Sequence, residues 1–350
     1  MRVLIVHEGY FPALAGAETM AWRAATGLAT RGHEVAVLGA PTAPVATVDG
    51  VHVVTDPLAL PWVPDVVHAV DLVSRTYALL AAEVADRAGS PLAVTPASAP
   101  EVWQDREAGM DVCRRADVVF VLTGAEGSVF RAAGVAAERL VAVGQGPEIE
   151  GRPDPDAFRA ATGVDGPFVL YLGRKARFKG FHRVLAAAPL VWERRPDAAF
   201  VFAGPDWDPD AKDVMAASAD PRVVDLGVVD GATKRDALAA CSLLCLPSTA
   251  DVFPLVFVEA WTCGRPVVSG DFPGATEVVR HGVDGLVVPV DPAPLAEAVA
   301  DLLCDDARRV AMGEAGRRRA EQDLTWDAVT DRIEAAYRRL RAPVGAGDPT

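Results

Sequence analysis

Short apolar runs, each leading through a loop into a helix-length stretch, recur in both halves of the chain, and this alternation restricts the fold more than any other feature. A strand buried on both faces reads as an unbroken apolar run. Parallel strands also need a crossover connection, which a helix supplies. Residues 2–6 read as such a strand, 17–30 as the helix that follows, ending at Arg31-Gly32-His33, and 34–38 as the next strand. Runs at 51–54, 66–68, 92–95, 118–123 and 140–143 extend this first set. A second set starts at 168–172 and continues at 199–203, 223–226, 243–246, 266–269 and 286–288. The Pro-, Gly- and Asp-rich stretch between the sets reads as a linker. The expected class is α/β: a doubly wound domain over 1–150, a linker over 151–166, a second doubly wound domain over 167–325, and a last helix over 326–341.

Charge and cysteine usage narrow the function classes. A net charge of −14 repels nucleic acid phosphates and anionic headgroups at long range, so neither nucleic acid nor membrane is an expected partner; a local basic pocket stays allowed. With 51% hydrophobic and 23% charged residues, the chain has material for buried cores and does not read as disordered. The five cysteines lie in apolar stretches without CxxC spacing and read as reduced core thiols. The first strand turns polar at His7-Glu8, and no apolar run approaches the ~18 residues of a membrane span, so a cytoplasmic location is expected.

Three motifs carry chemistry. Gly173-Arg174-Lys175-Ala176-Arg177-Phe178-Lys179-Gly180 follows directly on the strand 168–172, and open α/β sheets bind ligands beyond the carboxyl ends of their strands. Four cations within six residues, in so acidic a chain, read as an anion site. The segment from Pro247-Ser248 to Glu259-Ala260 sets Asp251 and Glu259 eight residues apart across a turn that enters a helix near Leu255. Helix-start amides attract phosphate, and carboxylates accept hydrogen bonds from sugar or ribose hydroxyls. Because Glu259 sits in a strongly apolar stretch, burying it without a partner would be costly, so it needs a ligand or a local partner. In the third motif, the loop after residue 9, Gly16 and Ala17 precede a helix and let backbone approach a phosphate. It does not spell GxGxxG, so the dehydrogenase fingerprint is absent.

Taken in order, these motifs form a set: Gly-Arg-x4-Lys-Gly, Pro247-Ser248, Asp251-x7-Glu259-Ala260 and Gly264-Arg265-Pro266-Val267-Val268. With Arg31-Gly32-His33-Glu34-Val35 and Gly285-Leu286-Val287-Val288-Pro289, the chain resembles, over nearly its whole length, the retaining glycosyltransferases called glycosyl transferases group 1 or family four. The resemblance implies a GT-B fold: two Rossmann-like domains facing across a cleft, the first taking the acceptor and the second the nucleotide-sugar donor. The last helix would cross back to the first domain. Arg174, Lys179 and Asp251 are the implied catalytic residues. Arg174 and Lys179 would neutralise the departing diphosphate, and Asp251, with backbone of Val252, Phe253, Pro254 and Leu255, would hold the transferred sugar. Glu259 would bind ribose, while Gly16, Ala17, Gly173 and Gly204 would lie against the donor.

Asp251 and Ala97 depart from the resemblance. Asp251 stands where members commonly carry Glu, one methylene longer. Ala97, in Thr95-Pro96-Ala97, stands where many carry a sugar-contacting His. A donor lacking an outer hydroxyl, replacement by Ser98 or another residue, or lost activity would each account for that. His68 matches a family position and is, with Ser98, a candidate sugar or acceptor contact; its other reading is structural. Tyr10, Phe11, Trp62 and Trp103 could wall an acceptor site or simply fill a core. Asp206-Trp207-Asp208-Pro209-Asp210 contains two overlapping DxD patterns, which in another glycosyltransferase architecture hold a divalent metal. The Arg174/Lys179 pair would make that metal redundant, so no metal or cofactor is expected. The expected function is metal-independent, retaining transfer of a sugar from a nucleotide diphosphate, UDP first, to a small soluble acceptor such as a natural product. The alternatives are an epimerase or phosphorylase on the same scaffold, and a noncatalytic partner that binds nucleotide sugar.

Overall fold

The computed structural model describes residues 1–10, 16–41 and 47–341. Phe11 and the rest of the loop up to Ala15 lie outside the described residues. The chain forms two compact units, one of residues 1–145 together with the segment from Trp326, the other of residues 146–325.

In the first unit the chain runs β1 (Arg2–Tyr10), α1 (Gly16–Thr30), β2 (Glu34–Pro41), β3 (Thr47–Val48), β4 (Val51–Val54), β5 (Val66–Val70) and α2 (Arg75–Ala88). It continues through β6 (Leu92–Thr95), α3 (Arg106–Arg115), β7 (Val118–Val121), α4 (Gly124–Ala132) and β8 (Leu140–Ala142). The sheet order is β3-β4-β2-β1-β5-β6-β7-β8, parallel throughout except for the β3–β4 pair. β5, β6 and β7 are buried along their full length, as strands covered on both faces by helices must be. Helix starts are capped where the sequence supplies acceptors: Asp105 accepts from Ala108 N at 3.0 Å ahead of α3, and Thr123 accepts from Glu126 N at 3.1 Å ahead of α4.

The second unit begins with α5 (Pro155–Thr162), β9 (Phe168–Leu172), α6 (Phe181–Trp192), β10 (Ala199–Ala203), α7 (Ala211–Ala217) and β11 (Val223–Asp225). Then come α8 (Gly231–Ala240), β12 (Leu243–Leu246), α9 (Leu255–Thr262), β13 (Val267–Gly270), α10 (Ala275–Val278), β14 (Gly285–Val288), α11 (Pro292–Cys304) and α12 (Asp306–Asp323). Its six strands are all parallel, in the order β11-β10-β9-β12-β13-β14. The last helix, α13 (Trp326–Arg341), packs on α1 within the first unit.

Two sequence expectations need correction. The stretch 151–166 is not a plain linker: Asp154 caps α5, Pro155 opens it, Gly163 closes it in a left-handed conformation, and the helix packs on α8. The unit boundary falls instead at Gly146. The cysteines are all unpaired, but Cys263 is half-buried and Cys304 exposed, so they are not uniformly core thiols.

Candidate functional site

At the carboxyl edge of the second sheet, loops after β9, β10 and β12 meet. Gly204, after β10, has φ +135°, and a Cβ there would lie 2.1 Å from the Gly173 carbonyl oxygen, so the β9 and β10 loops touch backbone to backbone. Gly180 is required at the end of the basic loop: its φ is +82°, and a Cβ would lie 2.4 Å from the Pro247 carbonyl oxygen. The Phe178 carbonyl then accepts from Thr249 N at 2.8 Å and Ser248 Oγ at 3.1 Å, tying the β9 loop to the β12 loop.

The four cations of the basic loop have different fates. Lys175 points inward, only 1% exposed, and its ammonium meets Asp225 at 2.8 Å, Asp206 at 3.1 Å and the Gly204 carbonyl at 3.1 Å. Arg177 pairs with Asp210, and its backbone N–H donates to Asp208 Oδ2 at 2.6 Å. Lys179 Nζ lies 2.5 Å from Asp251 Oδ2, both side chains largely buried. Arg174 is exposed and lies over two rings, 4.4 Å from the Trp207 centroid and 5.4 Å from that of Phe178; among the described residues its guanidinium has no carboxylate partner. The three aspartates of the DxD-like turn are thus each spent on the basic loop. Among the described residues, no group of three or more His, Cys, Asp or Glu side chains is arranged to hold a metal.

Past Asp251 the chain turns through Val252 and the buried Phe253 and Pro254 into α9, whose N-cap, Pro254, supplies no side-chain cap. One turn further, Glu259 is 1% exposed. Its Oε1 accepts from Lys234 Nζ at 2.6 Å and from Glu148 N at 3.3 Å, whereas the buried Oε2 has no hydrogen-bond partner among the described residues. Burial raises the Glu259 carboxyl above the ordinary carboxylate range, and the Lys234 ammonium opposes that rise. Lys234 was missing from the sequence-derived site, although it is one of only four lysines in the chain.

Residues 166–305 match the family described as Glycosyl transferases group 1. This segment is a group 1 glycosyl transferase domain. The group 1 domain thus holds Gly173, Arg174, Lys179, Gly204, Asp251, Val252, Phe253, Pro254, Leu255 and Glu259. Among relatives, the chain is 34% identical over 205 residues to a phosphatidyl-myo-inositol mannosyltransferase of Mycobacterium tuberculosis, covering 54% of this chain and 53% of that protein. It is 35% identical over 229 residues to D-inositol 3-phosphate glycosyltransferase 1 of Catenulispora acidiphila, covering 59% and 53%. The matches span about half the length of these relatives. Among solved structures, Anabaena HepE in complex with UDP and glucose superimposes with a TM-score of 0.78 at 22% identity, covering 97% of this chain and 100% of that one. Sucrose-phosphate synthase from Thermosynechococcus elongatus gives 0.80 at 20% identity, covering 97% and 98%. These likenesses establish the fold, two parallel-sheet domains of the GT-B type with the group 1 domain second.

The remaining candidates lie in the first unit. Gly16 and Ala17 open α1, and a Cβ on Gly16 would meet nothing within 4 Å. His68 is corrected to a structural role: fully buried in β5, it is satisfied by Thr95 Oγ1 at 2.7 Å and Tyr337 Oη at 2.6 Å, and burial lowers its pKa to about 3. It reaches no solvent from which to meet a substrate. Ser98 donates to Asp71 Oδ1 at 2.8 Å and accepts from Trp103 Nε1 at 3.1 Å. Trp103 stacks on Phe130 in the core, with Trp62 at its margin, so neither walls an open site. Ala97 and Asp71 take left-handed conformations, φ +58° and +64°, just past the carboxyl ends of β6 and β5. One residue had no weight in the sequence reading. His7, near the end of β1 where its pairing with β2 is irregular, is 3% exposed, and neither ring nitrogen has a hydrogen-bond partner among the described residues.

Proposed function

We propose that the protein is a retaining glycosyltransferase that uses a nucleoside diphosphate sugar and needs no metal. The observation that carries this reading is Glu259. A carboxylate oxygen buried without a partner among the described residues, in a carboxylate otherwise held by Lys234, calls for a hydroxyl donor, and a ribose supplies two side by side. The diphosphate would then lie toward the uncapped first turn of α9, Arg174 and Lys179, where helix amides and cations favour its charge. In this reading Arg174 and Lys179 stabilise the charge that builds as the glycosidic bond breaks. The leaving phosphate accepts the acceptor's proton, and attack occurs on the face from which the leaving group departs. Asp251 would exchange its contact with Lys179 for hydroxyls of the transferred sugar.

UDP and glucose in the HepE structure, and relatives named GDP-mannose-dependent mannosyltransferases, support testing uridine and guanosine donors first. The acceptor is read as a small hydroxyl-bearing molecule of natural-product type; relatives named for inositol derivatives make cyclitols the first to try. The test is calorimetric titration with UDP, GDP, ADP and dTDP, with and without EDTA, followed by turnover of the matching sugar donors. The anomeric configuration of the product is then read by NMR. One diphosphate binding equally well with EDTA, and a product that keeps the donor's configuration, are expected. Binding abolished by EDTA, or an inverted product, would refute the mechanism. Ala97, with no imidazole in its place, favours a second reading as a nucleotide-sugar-binding partner without turnover, and turnover of any donor would remove that reading.

A further inference from the structure

The DxD-like turn holds no place in the mechanism above, yet it is fitted closely to the basic loop. Lys175 N donates to the Pro205 carbonyl at 2.8 Å, the N–H groups of Trp207 and Asp208 approach the Lys175 carbonyl at 3.4 and 3.3 Å, and Lys175 and Asp206 form a β-bridge. Asp206 takes the Lys175 ammonium, Asp208 the Arg177 amide and Asp210 the Arg177 guanidinium. Between these acids stands Trp207, 57% exposed, with no burial to explain a residue of its size. What it does contact is Arg174, whose guanidinium carbon lies 4.4 Å from its ring centroid, with Phe178 at 5.4 Å also in range. Arg174 is thus the cation of this loop that the acidic turn leaves without a carboxylate, and an aromatic face holds it instead. A carboxylate there would neutralise the charge a diphosphate needs, whereas a ring restrains the long side chain and leaves its N–H donors free.

We propose that Trp207 is a positioning residue, holding Arg174 extended and uncompensated so that it can meet the terminal phosphate of the donor. This inference rests on the donor-site reading above. The test titrates UDP, UMP, GDP and GMP into the wild type, Trp207→Ala, Trp207→Phe, Arg174→Ala and the Arg174→Ala/Trp207→Ala double variant. Losing one exposed cation–π contact is expected to weaken the diphosphate by about two- to fivefold, leave the monophosphate unchanged, and be largely rescued by Phe. In the Arg174→Ala background, Trp207→Ala should cost nothing further. The inference is overturned if Trp207→Ala binds diphosphate like wild type, if monophosphate weakens equally, or if the loss persists without Arg174. The last two outcomes would make Trp207 a direct nucleoside contact. If the wild type binds only ADP or dTDP, the same titrations are made with that diphosphate and its monophosphate; if it binds none of the four, the donor-site reading itself fails and this inference falls with it. If Arg174→Ala weakens the diphosphate but Trp207→Ala does not, only the inference fails.

Discussion

Lys175 and Lys179 are four positions apart in one loop, and opposite outcomes are expected when each is replaced by alanine. Lys175 is 1% exposed, and its three ammonium protons face Asp225, Asp206 and the Gly204 carbonyl. Removing a buried ion's partner typically costs about 3–5 kcal/mol. Here the low end applies, because side chains 31% and 34% exposed let water rehydrate the two aspartates. The buried stem gives a similar figure independently, about 2.4 kcal/mol for the three methylenes that alanine lacks, at ~0.8 each. For a unit the size of residues 146–325, about 3 kcal/mol lowers Tm by roughly 6–12 °C. Lys179→Ala removes one ion pair from a side chain 16% exposed, where Lys175→Ala removes two and a carbonyl contact from one 1% exposed, so its Tm should move by less, while transfer falls by about 10²–10³ as a charge-stabilising group is lost. Differential scanning calorimetry and steady-state assays on both variants decide the matter. A Lys175→Ala protein with an unchanged Tm and abolished diphosphate binding would refute the assignment of this lysine to the framework.

Two further outcomes follow from the buried groups. Glu259→Gln keeps the shape but puts an amide against Lys234, and should weaken nucleoside diphosphate by roughly tenfold, read by calorimetric titration against the deoxyribose form, which should lose less. For His68, the folded pKa of about 3 lies below the usual 6.5, so between these values the unfolded chain binds the extra proton. Its contribution to stability is full above pH 6.5 and falls with acidification toward pH 3, by at most about 1.4 kcal/mol per pH unit. Melting His68→Gln at pH 7 and pH 5 should show a shallower pH dependence than the wild type, and an equal one would sink this account.

The strands were legible because parallel strands buried on both faces leave unbroken apolar runs, as in 168–172 and 243–246. Helix α5 went unread: Asp154-Pro155 and Gly163 mark its ends, but the density of Pro, Gly and Asp around it suggested a linker. The sorting of the cations was not legible. Lys175 and Lys179 look alike in sequence, and what separates them is the distance to partners 31, 50 and 72 positions away. The same holds for His68: a histidine in a strand reads as a site or as core until Thr95 and Tyr337, 27 and 269 positions away, are brought to its two nitrogens. For Glu259 the apolar surroundings did predict a buried carboxylate in need of a partner. Lys234, on a different helix, carried no local sign of being that partner.

The dependence of His68 on Tyr337 also sets an order of events during synthesis. A ribosome delivers residues 1–145 first, yet the hydroxyl that satisfies His68, the face that covers α1 and the carboxylate of Glu334 that meets His33 at 2.9 Å all belong to α13. At about 5–20 residues per second, the intervening unit takes on the order of 10–40 s to emerge, long enough for it to close around its own sheet while the earlier one stays incomplete. The part of the molecule made first is therefore the part finished last.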